Sequence, residues 1–332
     1  MSCLHVIADT AGGSHKYVID LMNVTKMDYL VYKGGRAADL QYSTELQIIH
    51  VHSFFPFEDI GWQFMMTLRF LKSGFPNAKI FVTVHDYFWL FINNIKESDL
   101  SCRGFTTEWY TGAGNEPDPY LCFCTGDLFK YADKVIMPSM SVFKNYKKFM
   151  RGYLPPNVHV VPHCDIPIRY ENFWMSPLEH GKNVTVAVLG KKGNEMFKQI
   201  VDLNLPINYR HYQEYNDETI IDTLHEDNVH FILWPSRLEE TYCYALSRMI
   251  NSGLPIVYYR RGAFKDRLPV NGRFFGAEKI DEICIEIEKA VQYVFDNQDR
   301  PNDYIDQGNE VILNDWYRDH YKGERSTPVK NE

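Results

Sequence analysis

Four short stretches place polar, chemistry-bearing side chains directly after apolar runs. In RLEETYCYALSRMINSGLPI, residues 237–256, Glu239 and Glu240 follow an apolar strand and open a helical pattern, and Arg248 sits inside that pattern where a hydrophobe or a small residue would be cheaper. Carboxylates at a helix start suit the dipole, and they can equally accept hydrogen bonds from a ligand. In VTVAVLGKKGNEMF a strand runs into Gly190 with Lys191 and Lys192 just beyond it. Two ammonium groups at a helix entrance make a seat for a diphosphate, although exposed lysines are also common on any surface. In FVTVHDYFWL, His85 and Asp86 end a strand of β-branched and aromatic residues, where they can hydrogen-bond a hydroxyl or a leaving phosphate. A histidine so placed can also be structural. In IADTAGGSHKYVIDL, Gly12 and Gly13 stand between strand and helix and let backbone donors approach a ligand; the stretch is neither G-x-G-x-x-G nor a P-loop, and a plain tight turn explains it as well.

Positioning such residues requires a sheet whose strands all end at one edge. Apolar runs alternate with amphipathic helical stretches along the chain, the pattern of a parallel sheet covered by helices on both faces. The runs predict strands at 4–9, 28–33, 46–53, 79–86, 134–139 and 158–163 in a first series, and at 184–190, 207–213, 229–236 and 255–260 in a second. Helices are expected at 194–204, 217–226, 240–252 and 279–298. Another carries Ile60, Phe64, Leu68 and Leu71 on one face, widened by Trp62, Met66 and Phe70. Residues 87–127 break the rhythm and predict a long irregular loop. The prolines of 164–182 mark the linker. The reading is a first domain at 1–166 and a second at 167–301, with a helix at about 302–322 expected to pack back on the first and a flexible tail at 325–332. In such sheets ligands bind beyond the carboxyl ends of the strands, where all four stretches fall.

Composition sets bounds. The chain has 332 residues, 45% of them hydrophobic, enough for two cores. Its net charge of −8 provides no general attraction for nucleic acid, and the basic strip FKNYKKFMR reads as a solvated helix face. Seven scattered cysteines fit a reducing compartment better than a disulfide framework. Cys102, Cys122 and Cys124 lack the usual C-x2-C metal spacing and read as ordinary thiols, so no metal is expected. MSCLHVIAD has no signal-peptide pattern and no run is long enough to span a membrane, so a cytoplasmic protein is expected, with peripheral membrane contact through an apolar helix open.

The stretch RLEETYCYALSRMINSGLPIVYYRRGAFKDRL resembles the donor-site segment of retaining glycosyltransferases of the GT-B fold, the family-four group that includes many polysaccharide mannosyl- and glucosyltransferases. GGSHKYVIDL, TVHDYFWL, ADKVIMPSMSVFKNYKKF, VHVVPHCDIP and VAVLGKKG occur in the same order, so the resemblance spans most of residues 4–268. It implies an α/β fold of two Rossmann-like doubly wound lobes facing a central cleft. It also implies a metal-independent, retaining transferase with no cofactor. Such an enzyme moves a hexose or related sugar from a UDP- or GDP-type donor to a glycan or glycoconjugate acceptor. By the resemblance, Glu240 stands near the hydroxyls of the transferred sugar and His85 near its anomeric centre. Glu239 and the Thr241, Tyr242, Cys243 and Tyr244 segment belong to the donor site. Gly12 and Gly13 close on the diphosphate, Lys191 takes the place of the usual arginine beside Lys192, and Ser14 and Asp86 lie on the acceptor side.

Two departures stand out. Arg248 occupies the position, eight residues after Glu240, of the family's second glutamate, which accepts hydrogen bonds from the ribose. The second basic residue falls on Met196. These departures leave open a catalytically degenerate GT-B protein that binds a glycan or a partner. A nucleotide-sugar epimerase or hydrolase and a DNA-modifying glycosyltransferase of phage type are further alternatives.

Overall fold

The computed structural model describes residues 2–7, 13–25, 28–32, 46–52, 62–85, 87, 119–152, 154–171, 173–178, 183–189, 200–201, 205, 207–212, 215–235, 240–270, 272–300, 311–312 and 314–321. The chain divides into two compact units, residues 1–165 with 311–332, and residues 166–310. In the first unit, strands β1 (Ser2–Val6), β2 (Asp28–Tyr32), β3 (Leu46–Val51), β4 (Lys79–Thr83), β5 (Lys134–Met137) and β6 (Val158–Val160) form one sheet in the order β2-β1-β3-β4-β5-β6. Every pairing in it is parallel. Among the described residues its helices are α1 (Gly13–Thr25), α2 (Trp62–Gly74), α3 (Pro119–Tyr131) and α4 (Met140–Phe149).

The second unit repeats the scheme. Strands β7 (Val184–Leu189), β8 (Ile207–Tyr212), β9 (Phe231–Trp234), β10 (Ile256–Tyr259) and β11 (Phe274–Ala277) pair in parallel in the order β11-β10-β9-β7-β8. Helices α5 (Ile220–Glu226), α6 (Tyr244–Asn251), α7 (Gly262–Arg267) and α8 (Ile283–Asn297) belong to it. The chain then returns to the first unit with α9 (Asp315–Tyr321), tied there by an antiparallel bridge between Asp165 and Ile312. Both sheets reverse direction after their first strand, which creates a switch point between β1 and β3 and another between β7 and β9.

Several expectations shift. α3 occupies 119–131, partly inside the segment expected to be irregular: Thr125, Leu128 and Phe129 bury one helical face that the interleaved Cys, Thr and Gly residues hide from a periodicity reading. Cys122 and Cys124 lie two apart on it, about 200° around the helix, and so cannot grip one ion together. α6 begins at Tyr244 rather than at residue 240, because Cys243 adopts φ +62°, outside right-handed helical geometry. Glu240 therefore lies outside its first turn. β11 and α7 were not expected; Gly276 interrupts the short apolar run of β11, and six residues are too few for α7 to show a helical period. Phe70 is half exposed rather than part of the buried face of α2. Of the helix expected at 194–204 only residues 200–201 are described, and residues 301–310 lie outside the described part.

The faces of the first sheet differ in kind. One is apolar: Leu4, Val6, Ile49, Val51, Ile80, Val82, Val135 and Met137 pack under α2, α3 and α4. The alternate residues on β1, β3 and β4 include His5, His50, His52, Phe81, Thr83 and, just past β4, His85, and these meet Tyr17 of α1 and Tyr317 and Tyr321 of α9. The inner strands of the second sheet, β7, β9 and β10, are apolar on both sides, against α8 on one and α5, α6 and α7 on the other. Residues 166–178 are fastened to this unit. Asn251 donates to the Pro167 carbonyl and accepts from the Arg169 amide, Trp174 stacks on His225, and the Trp174 amide donates to the Gly253 carbonyl.

Gly253 has φ +76°, and a Cβ there would lie 2.8 Å from the Trp174 nitrogen. Gly253→Ala is expected to cost about 2–3 kcal/mol, from left-handed strain plus displaced backbone, read as a lower urea midpoint at unchanged slope. Among the described residues no helix is long and apolar enough to cross a membrane.

Candidate functional site

At the switch point of the second unit, β7 and β9 are hydrogen-bonded neighbours, and the chain leaves them toward Lys191–Lys192 and toward Glu239–Glu240 respectively. Lys191, Lys192 and Glu239 lie outside the described residues, as do Gly12 and Asp86 in the first unit. Glu240 is described, and its surroundings are unusual for a carboxylate. Although the residue keeps partial access to solvent, protein crowds the carboxyl, and this desolvation raises it from the ordinary range to about 7. Tyr215, in the loop after β8, lies close by: burial, followed by Cys243, Asp217 and Glu240, pushes its hydroxyl up.

The segment from Glu240 into α6 is held by α7, an element the sequence reading missed. At the start of α7 the Ala263 amide donates to the Glu240 carbonyl at 2.7 Å. At its end Arg267 donates through Nη1 to the carbonyls of Tyr242 and Cys243 at 2.8 and 2.9 Å, and through Nη2 to Ser247 Oγ at 2.6 Å. The same guanidinium lies over the Tyr242 ring, 4.2 Å from its centroid. One planar cation thus fixes the turn whose positive-φ residue, Cys243, sets where α6 begins. Thr241 and Tyr242 are buried, Cys243 and Tyr244 are partly exposed, and the Tyr242 and Tyr244 rings meet edge to face. Arg248, one turn into α6, is 6% exposed: it belongs to the packed helix and not to a solvated face. The repeated Arg in YYRRGAFKDRL was the available signal for Arg267, but nothing in the sequence said which arginine turns back onto the TYCY turn.

In the first unit, Gly13 and Ser14 are the first residues of α1 and not part of the preceding loop. His85 is buried among imidazoles. Its Nε2 lies 3.3 Å from His52 Nδ1, and its ring is 5.0 Å from both Tyr17 and His163. His52 Nε2 is 2.9 Å from His5 Nδ1; His50 Nε2 meets Thr83 Oγ1 at 2.7 Å, and His50 Nδ1 meets the Tyr321 hydroxyl. Burial lowers His5 to about 4 and His85 to about 3, and burial followed by neighbouring imidazoles lowers His50 and His52 well below the ordinary value. All four rings are neutral at pH 7. Only His85 of this group was singled out in the sequence, although H-V-H at 50–52 shows two histidines on one strand face.

These depressed values carry a pH dependence. The unfolded rings accept protons near pH 6.5 and the folded ones do not, so stability falls as pH drops from about 6.5 toward 4. In buffer containing a chelator, urea unfolding should lose at least about 3 kcal/mol between pH 7 and pH 5. A flat profile would show that the rings are open to water.

No protein-family model matches the sequence, and no curated protein matches it. The structure is similar to crystal structures of Anabaena Alr3699/HepE. The complex with UDP gives a TM-score of 0.53 at 10% identity, covering 90% of this chain and 93% of that one. The complexes with UDP-glucose and with UDP and glucose each give 0.50 at 11% identity, covering 90% and 94%. The chain has the GT-B fold, α/β with two Rossmann-like doubly wound units.

Proposed function

We propose that the chain is a retaining glycosyltransferase that binds a nucleoside-diphosphate sugar on its second unit and transfers the sugar to a hydroxyl of a glycan or glycoconjugate. The observation that carries this reading is the adjacency of β7 and β9 at the switch point. These neighbouring strands are followed in the chain by Lys191 and Lys192 and by Glu239 and Glu240, and α6 begins four residues after Glu240. The UDP-glucose and UDP complexes of the similar structure make UDP-sugars the first donors to try.

In the proposed reaction, the departing diphosphate is stabilised by Lys191, Lys192 and the N-terminal amides of α6. Glu240 accepts hydrogen bonds from the sugar hydroxyls, and the turn at Thr241–Tyr244, held by Arg267, shapes the pocket floor. An acceptor hydroxyl attacks on the face the diphosphate leaves, which retains configuration, and its proton passes to a phosphate oxygen. His85, neutral, is proposed as a hydrogen-bonding partner near the anomeric carbon, and Gly12, Gly13, Ser14 and Asp86 as the acceptor side. No step uses an organic cofactor or calls for a metal at the diphosphate. A cytoplasmic location accords with this reading.

Arg248, buried at 6% exposure where the resemblance expects a glutamate, favours one second reading: a GT-B protein that binds its ligand without turnover. Calorimetry against UDP- and GDP-sugars, paired with nucleotide release measured with and without added glycans, separates the two. Release that depends on acceptor supports transfer, binding without release supports the second reading, and release without acceptor points to hydrolysis. Absence of binding to every nucleotide sugar would overturn the donor site itself.

A further inference from the structure

We propose that His5, His50 and His52 form a binding site for one transition-metal ion, zinc in the first instance, inside the first unit. One ligating atom from each of the three residues lies within 4.8 Å of the others, and all three residues are buried, at 2%, 0% and 0% exposure. Strand geometry produces this arrangement. His5 and His50 are register partners on the adjacent parallel strands β1 and β3, and His52 lies two residues beyond His50, so all three rings leave the same face of one sheet. Sites carried on strands place their ligating atoms more precisely than sites on loops.

The donor set selects the class of ion. Imidazole nitrogens suit zinc, copper and nickel, whereas magnesium and calcium take oxygens. Ligation requires the neutral ring, and burial already disfavours the cation. A tetrahedral zinc with nitrogens at about 2.0–2.1 Å spaces them about 3.3–3.4 Å apart. The 2.9 Å between His5 Nδ1 and His52 Nε2 must then open by a few tenths of an ångström.

His52 and His50 have the outer contacts of a metal-bound histidine, whose second nitrogen is held by another group. His52 Nδ1 faces His85, and His50 reaches both Thr83 and the Tyr321 hydroxyl, so one of its nitrogens can turn to the ion while the other keeps its partner. An ion there would pin β1 to β3 next to the sheet's switch point and, through His52, fix the ring of His85. None of this depends on the reading of the second unit.

The test uses the full chain, stripped with chelator and then titrated with zinc and with cobalt(II). The expected result is one equivalent retained per chain after gel filtration, with the visible absorption of four-coordinate cobalt and at least tenfold weaker binding in His5→Gln and His52→Gln. His211→Gln, on β8 of the other unit, should bind as the wild type does. No retained metal in the wild type, or stoichiometric binding that survives both substitutions, would overturn the site. Should the variants fail to fold, X-ray absorption on the zinc-loaded wild type decides: a shell of three imidazoles supports the proposal, and a sulfur or all-oxygen shell rejects it.

Discussion

Glu240→Gln should lower sugar transfer by about 10²–10³-fold in kcat and at the same time make the protein more stable above pH 7. The two effects share one cause. Protein packed around the Glu240 carboxyl raises it to about 7, against roughly 4.3 in an unfolded chain. Between those values the folded state holds a proton that the unfolded state has released, so stability falls as pH rises through that window. Glutamine has no charge to desolvate. At pH 8 the variant should gain about 1–3 kcal/mol, less than the full shift would give because the residue keeps partial solvent access, and at pH 4 the gain should vanish. Urea midpoints at the two pH values, set beside initial rates of nucleotide release, check both halves. Lost activity without a pH-dependent gain would mean that the carboxyl is well solvated. A gain without lost activity would remove Glu240 from the chemistry and leave it a strained structural residue.

This differs from what a helix-end carboxylate predicts. From the sequence, Glu239 and Glu240 read as residues of a first helical turn, where each would stabilise the helix by about 0.3–1 kcal/mol. The positive φ of Cys243 moves the helix start to Tyr244, so that contribution is absent from Glu240, and burial makes its charge a cost. A backbone angle at one non-glycine residue leaves no mark in the sequence.

Many strand positions were legible because parallel strands buried on both faces, such as β7, β9 and β10, are continuous apolar runs. The same continuity concealed the character of the first sheet. Its second face carries His5, His50, His52 and His85 on or just past three different strands, and these share a surface only after β1 and β3 pair in register and β4 joins them. Periodicity within any one segment reports two histidines at most. Their grouping is a property of strand order, which becomes visible only when His5 lies beside His50 and the chain beyond β4 brings His85 against His52.

Arg267→Lys is expected to raise the donor KM by at least tenfold and to lower kcat/KM by about 10²-fold, although it preserves charge. The guanidinium spans three acceptors on two sides of the turn, the carbonyls of Tyr242 and Cys243 and the hydroxyl of Ser247, while stacking on the Tyr242 ring. An ammonium is a point donor and cannot reach all three from one position. The Tyr242–Tyr244 turn then loses the contacts that offset the strained φ of Cys243, and the start of α6 loosens. Hydrogen exchange should quicken at residues 242–247 while the strands β9 and β10 stay protected, and the urea midpoint should fall by an amount equivalent to about 2–3 kcal/mol. This pairing of readouts separates positioning from general support. If exchange quickens across the whole second unit, Arg267 holds the fold. If it quickens only at the turn and KM rises with it, the arginine sets the shape of the donor pocket; and if neither changes, the turn is rigid without it and the link from α7 to the site is wrong.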